Sequence, residues 1–136
     1  MNAKYTLEEV DIRIRSAFGL QGIFGDAYPF SEEFRIILAK AISKLPKQIV
    51  DWTTENVLFF SSRDDRFVFT LNIDEWKHKR GFIFLCENLK EWSEGGQVLA
   101  IAHEIAHLKL DHRKRGSSEE QEATKLAKQW LKQRKE

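Results

Sequence analysis

Gly95-Gly96-Gln97-Val98-Leu99-Ala100-Ile101-Ala102-His103-Glu104-Ile105-Ala106-His107-Leu108-Lys109-Leu110-Asp111-His112 is the stretch that decides how this chain is read. Val98, Ile101, Ile105 and Leu108 recur at helical spacing, which predicts one long helix from Gln97 to about His112, entered from a loop at Gly95 and Gly96. Inside it, His103-Glu104-Ile105-Ala106-His107 forms an H-E-x-x-H pattern. Histidines at i and i+4 lie one turn apart on the same face, so both imidazoles can reach a single zinc ion. Glu104, beside the first of them, is placed to act as a base on the metal's water. With 4 histidines in 136 residues, a shuffled chain of this composition holds about 0.01 such patterns, so composition alone does not explain it.

Two histidines leave a catalytic zinc one protein ligand short of its usual three. Asp111 lies eight residues beyond His103, a rise of about 12 Å, too far to share the ion. The three glutamates at the start of the next segment, Glu119, Glu120 and Glu122, are the candidates. An antiparallel helix hairpin turning through Arg113 to Gly116 would bring a residue near position 120 opposite His107. Ser117 with Glu120 is a capping-box pattern that starts the second helix of this hairpin. Its apolar face is Ala123, Leu126, Ala127, Trp130 and Leu131. Glu119 and Glu120 fall within the angular range of that face, whereas Glu122 falls outside it.

Outward from this hairpin, Gly81-Phe82-Ile83-Phe84-Leu85-Cys86 is apolar after the glycine, as in a strand covered on both faces and central in its sheet. Val57 to Phe60 and the alternating Phe67, Phe69, Leu71 and Ile73 read as two further strands with a turn at Arg63 to Arg66. Near the N-terminus, Thr6 with Glu9 caps a helix from about Leu7 to Phe18. A second helix capped by Ser31 carries Phe34, Ile37, Leu38, Ala41, Ile42 and Leu45 until Pro46 ends it. The expected order is two helices, three strands and two helices. This is an α+β fold, a small zincin-like domain over 1–136 with a short, mainly antiparallel sheet under the metal-bearing helix.

The 22 basic and 21 acidic residues give a net charge of +1, so no global field attracts nucleic acid or an anionic membrane, and neither is an expected partner. The basic run Lys125, Lys128, Lys132, Arg134 and Lys135 reads as a solvated face. The single cysteine, Cys86, excludes an internal disulfide and reads as a small buried hydrophobe. No apolar stretch reaches the roughly 18 residues of a membrane span and no signal segment opens the chain, so a soluble, cytoplasmic protein is expected.

His103-Glu104-Ile105-Ala106-His107-Leu108, followed by Glu120-Gln121-Glu122-Ala123-Thr124-Lys125-Leu126-Ala127-Lys128-Gln129-Trp130-Leu131, resembles the ImmA/IrrE family of gluzincin-like metallopeptidases over about residues 97 to 131. Thr124 and Leu126 stand where that family usually has Asn or Asp and Phe. The metzincin pattern is absent, because Leu110 and Arg113 occupy its glycine and histidine positions. The resemblance implies that Glu120 completes the zinc site with His103 and His107, that Thr124 supports a zinc histidine, and that Glu104 is the general base. The expected function is therefore zinc-dependent hydrolysis of a peptide or protein substrate. The alternative is a regulatory or binding protein with a structural or vestigial zinc site, acting on a transcription factor or nucleic acid, since the family is associated with regulation of repressors. His112, His78 and Tyr28 are further candidates to donate to an oxyanion, though each reads more simply as a surface or turn residue, and Asp111 is a candidate to orient an imidazole.

Overall fold

The computed structural model describes residues 5–17, 32–62, 69–76, 79–112 and 116–133. Helices α1 (Leu7–Ala17), α2 (Glu32–Ser43) and α3 (Lys47–Asn56) precede strands β1 (Val57–Ser62), β2 (Phe69–Trp76) and β3 (Lys79–Cys86). A 3-10 turn (Glu87–Glu91) leads to α4 (Glu94–Lys109) and then α5 (Ser117–Gln133). The expected α+β architecture is present.

The capping box at α1 forms as read from the sequence. The Glu9 amide donates to Thr6 Oγ1 at 3.1 Å and the Thr6 amide donates to Glu9 Oε1 at 2.8 Å, which holds the Glu9 carboxyl below its usual range. Pro46 ends α2 and also opens α3, because its carbonyl accepts from the Ile49 and Val50 amides at 2.8 and 3.0 Å. Helix α3 is an addition to the expected order. Its buried residues Ile49, Val50, Thr53 and Thr54 repeat at helical spacing, but two of them are threonines, so the apolar stripe is faint in the sequence. The chain passes from α3 into β1 with no intervening turn, Val57 being already extended (φ −125°).

β3 occupies the centre of a three-stranded sheet ordered β1-β3-β2. Val57 to Ser62 pair in parallel with Gly81 to Cys86, and Phe69 to Asn72 pair antiparallel with Phe84 to Gly81. The expectation of a mainly antiparallel sheet is thereby corrected: the sheet is mixed, and β1 and β2 are separated by β3. Side-chain alternation is the same in either strand direction, so the pattern could not reveal the parallel pair. Nor is β3 covered equally on its two faces. Ile83 and Leu85 are fully buried, while Phe82 and Phe84, edge to face at 6.5 Å, are half-buried. Cys86 is buried, as expected.

Helix α4 begins three residues before the expected Gln97. Ser93 Oγ accepts from the Gly96 amide at 3.1 Å, so both glycines lie in the first turn and not in a loop. The helix touches α2, α5, β2 and β3. Its Ile101 and Ile105 join Leu38 and Ile42 of α2, Phe59 of β1 and Ile83 and Leu85 of β3 in one core. The histidine pair therefore rides on a helix whose inner face is part of the core. Among the described residues, no helix is long and apolar enough to cross a membrane. The expected turn at Arg63 to Arg66, Ser31, Tyr28 and His78 lie outside the described residues.

Candidate metal centre

His103 and His107 project from consecutive turns of α4, and their rings meet edge to face with Nε2 atoms 3.1 Å apart. Glu120, in the first turn of α5, reaches both: Oε1 lies 2.7 Å from His107 Nε2 and Oε2 lies 3.4 Å from His103 Nε2. His103, His107 and Glu120 form a group whose ligand atoms lie within 4.8 Å of one another. Around a tetrahedral zinc with bonds of about 2.0–2.1 Å, ligand atoms stand about 3.3–3.5 Å apart, so the three donors are near that spacing, with His107 and Glu120 needing to separate by about 0.6–0.8 Å. His107 is 2% exposed, His103 16% and Glu120 43%, so the group is rooted in the core and opens to solvent on the α5 side.

The approach of α5 to α4 makes this geometry possible. Ala102 and Ala106 on α4, with Ala123 and Ala127 on α5, are all buried, and small side chains allow helix axes to come close. Each of the three sequence candidates has a separate fate. Glu120 joins the histidines. Glu119 folds back over the helix start, where a Cβ on Gly116 would meet its Oε1 at 2.7 Å, a position suited to the helix dipole. Glu122 is displaced toward His112 Nε2, at 3.8 Å.

The outer nitrogens of both histidines are also engaged. Thr124 Oγ1 lies 3.0 Å from His103 Nδ1, and Thr124 is one turn beyond Glu120 on α5, so one helix face supplies both a group facing the metal position and a group behind it. His107 Nδ1 lies 2.9 Å from His112 Nδ1. When the outer nitrogens carry the protons, both Nε2 lone pairs converge with a carboxylate. In that state the three acceptors could be satisfied together by a shared cation. Glu104, next to His103 on α4, is buried at 1% exposure.

His112 was read as a surface or oxyanion-facing histidine, but its side chain is only 10% exposed and packs on His107. The signal that could have found it is Asp111, a residue type tolerated in the left-handed region, placed where α4 must end. The Asp111 carboxylate itself sits on an exposed residue at that turn. Lys125, Lys128 and Lys132 are exposed, as expected of a solvated face.

Comparison with known proteins yields no match of the chain to any family model, curated protein or solved structure.

Proposed function

We propose that the chain is a zinc-dependent peptidase of the gluzincin type, in which His103, His107 and Glu120 hold the metal and Glu104 is the general base. The observation that carries this reading is the convergence of two imidazole nitrogens and one carboxylate within 2.7–3.4 Å. Two imidazoles and a carboxylate suit zinc, and three protein ligands match the number in catalytic zinc sites, which keep a fourth position for water. The H-E-x-x-H spacing and the ImmA/IrrE-like second motif point the same way.

Bound there, zinc supplies Lewis acidity toward the scissile carbonyl and toward the attacking water. The chain's own groups do the rest. Glu104 accepts a proton from the water and delivers it to the leaving amine. Thr124 accepts the His103 Nδ1 proton and so keeps Nε2 available as a ligand. The outer edge of β2 offers backbone groups to an extended peptide, which would add to the sheet as a further strand.

The test is Glu104→Gln, which preserves size while removing the base. The variant should retain about one zinc per chain by metal analysis after dialysis, and its cleavage of a peptide library should fall by about 10²–10⁴-fold. Equal cleavage by variant and wild type removes Glu104 from the mechanism, and a wild-type chain free of zinc removes the metal.

A further inference from the structure

Helix α4 closes with a Schellman turn. The Asp111 amide donates to the Leu108 carbonyl at 3.1 Å and the His112 amide donates to the His107 carbonyl at 2.9 Å, with Asp111 left-handed at φ 58° between them. This reversal carries residue 112 back over residue 107, the deeper of the two metal-facing histidines. The His112 ring then stands 5.1 Å from the His107 ring, centroid to centroid, at an angle of 65°, with the two Nδ1 atoms 2.9 Å apart.

Two imidazole nitrogens at that distance share one proton, one ring donating and the other accepting. For His107 to offer its Nε2 lone pair to a metal, its own proton must sit on Nδ1 and be donated to His112. His112 then accepts at Nδ1 and carries its proton on Nε2, which faces Glu122 Oε1 at 3.8 Å. That separation is compatible with attraction but too long for a hydrogen bond. His103 meets the same need differently, through the Thr124 hydroxyl on the next helix.

We infer that His112 is a positioning residue of the metal site: it accepts the Nδ1 proton of His107 and thereby fixes that ligand's tautomer and ring orientation. The inference rests on the metal-site reading above and adds to it a residue outside the H-E-x-x-H and glutamate motifs. Partners behind metal-bound histidines set ligand basicity as well as direction, and losing one typically weakens metal binding by about 10–100-fold.

The experiment compares full-length wild type with His112→Phe and His112→Asn, measuring zinc affinity by competition with a calibrated chromophoric chelator and folding by thermal melts in EDTA. Phenylalanine keeps the ring's bulk and loses the acceptor. Asparagine loses the ring but places its amide oxygen at the same number of bonds from the backbone as Nδ1. Zinc affinity should fall about 10–100-fold in the phenylalanine variant and stay within about threefold of wild type in the asparagine variant. The opposite order would show that the ring merely fills space, and wild-type affinity in both variants would show that the contact does nothing; either overturns the inference. A wild-type chain that takes up no zinc would instead fail at the metal reading itself, a distinguishable outcome. A second measurement needs no variant: nitrogen NMR of the zinc-loaded chain should show His107 protonated on Nδ1 and His112 on Nε2. A proton on His112 Nδ1 overturns the assignment.

Discussion

Replacing Ala127 by leucine tests the idea that close helix packing aims Glu120 at the histidines. At about 100° per residue, Glu120, Thr124, Ala127 and Leu131 lie within about 60° of one another on α5, and the first two already reach the α4 imidazoles. Ala127 is 0% exposed, so three added carbons have no solvent to enter and must push α5 away from its neighbours. Overpacking of this kind costs about 1–3 kcal/mol. For a chain of this length that lowers the melting temperature by roughly 3–15 °C. The effect on the metal is separate and sharper. Ligand distances tolerate only about 0.2 Å, so a displacement of about 1 Å at Glu120 should weaken zinc binding at least tenfold. Thermal melts in EDTA isolate the packing cost, and chelator competition isolates the metal cost. Gln129→Leu adds a similar side chain at an exposed position about 180° away and should change stability by less than about 0.5 kcal/mol. If Ala127→Leu melts early yet binds zinc like wild type, the approach of α5 is not what positions Glu120.

Glu120→Ala should weaken zinc binding by more than the roughly 10–100-fold expected for groups behind the ligands, whereas Glu122→Ala, whose carboxylate reaches only to 3.8 Å from His112, should stay within about threefold; chelator competition decides, and the reverse order refutes the assignment. At the other end of the chain, the Thr6 amide holds the Glu9 carboxyl below its ordinary value of about 4.5, so the ionised form favours the folded state. That contribution is present above about pH 4.5 and is lost as the pH falls through the depressed folded value. The melting temperature of Glu9→Gln should lie below that of wild type at pH 7, and the gap should close in acid; a gap independent of pH refutes it.

The parts legible in the sequence were those set by local periodicity and caps. The α1 capping box, the stripe Leu38, Ala41 and Ile42 in α2, the central place of β3 and the hairpin of α4 with α5 all follow from residue spacing. Two kinds of feature were not legible. The first was α3, whose stripe is half threonine and whose opening proline also ends the previous helix. The second was strand direction, since β1 pairs in parallel with β3 although its side-chain pattern would serve an antiparallel partner equally well.

The sequence by itself determined the spacing that puts His103 and His107 on one face of a helix, and helical phase with the family resemblance favoured Glu120 as the candidate third ligand, because phase is a property of the chain alone. Only the tertiary structure brings Glu120 to 2.7 Å from His107 while leaving Glu119 at the helix start and Glu122 toward His112, since those distances depend on how closely α5 approaches α4 and at what level the two helices meet. The tertiary structure also brought in His112. Its distance from His107 is set by a left-handed backbone angle at Asp111 that residue identity permits but does not dictate.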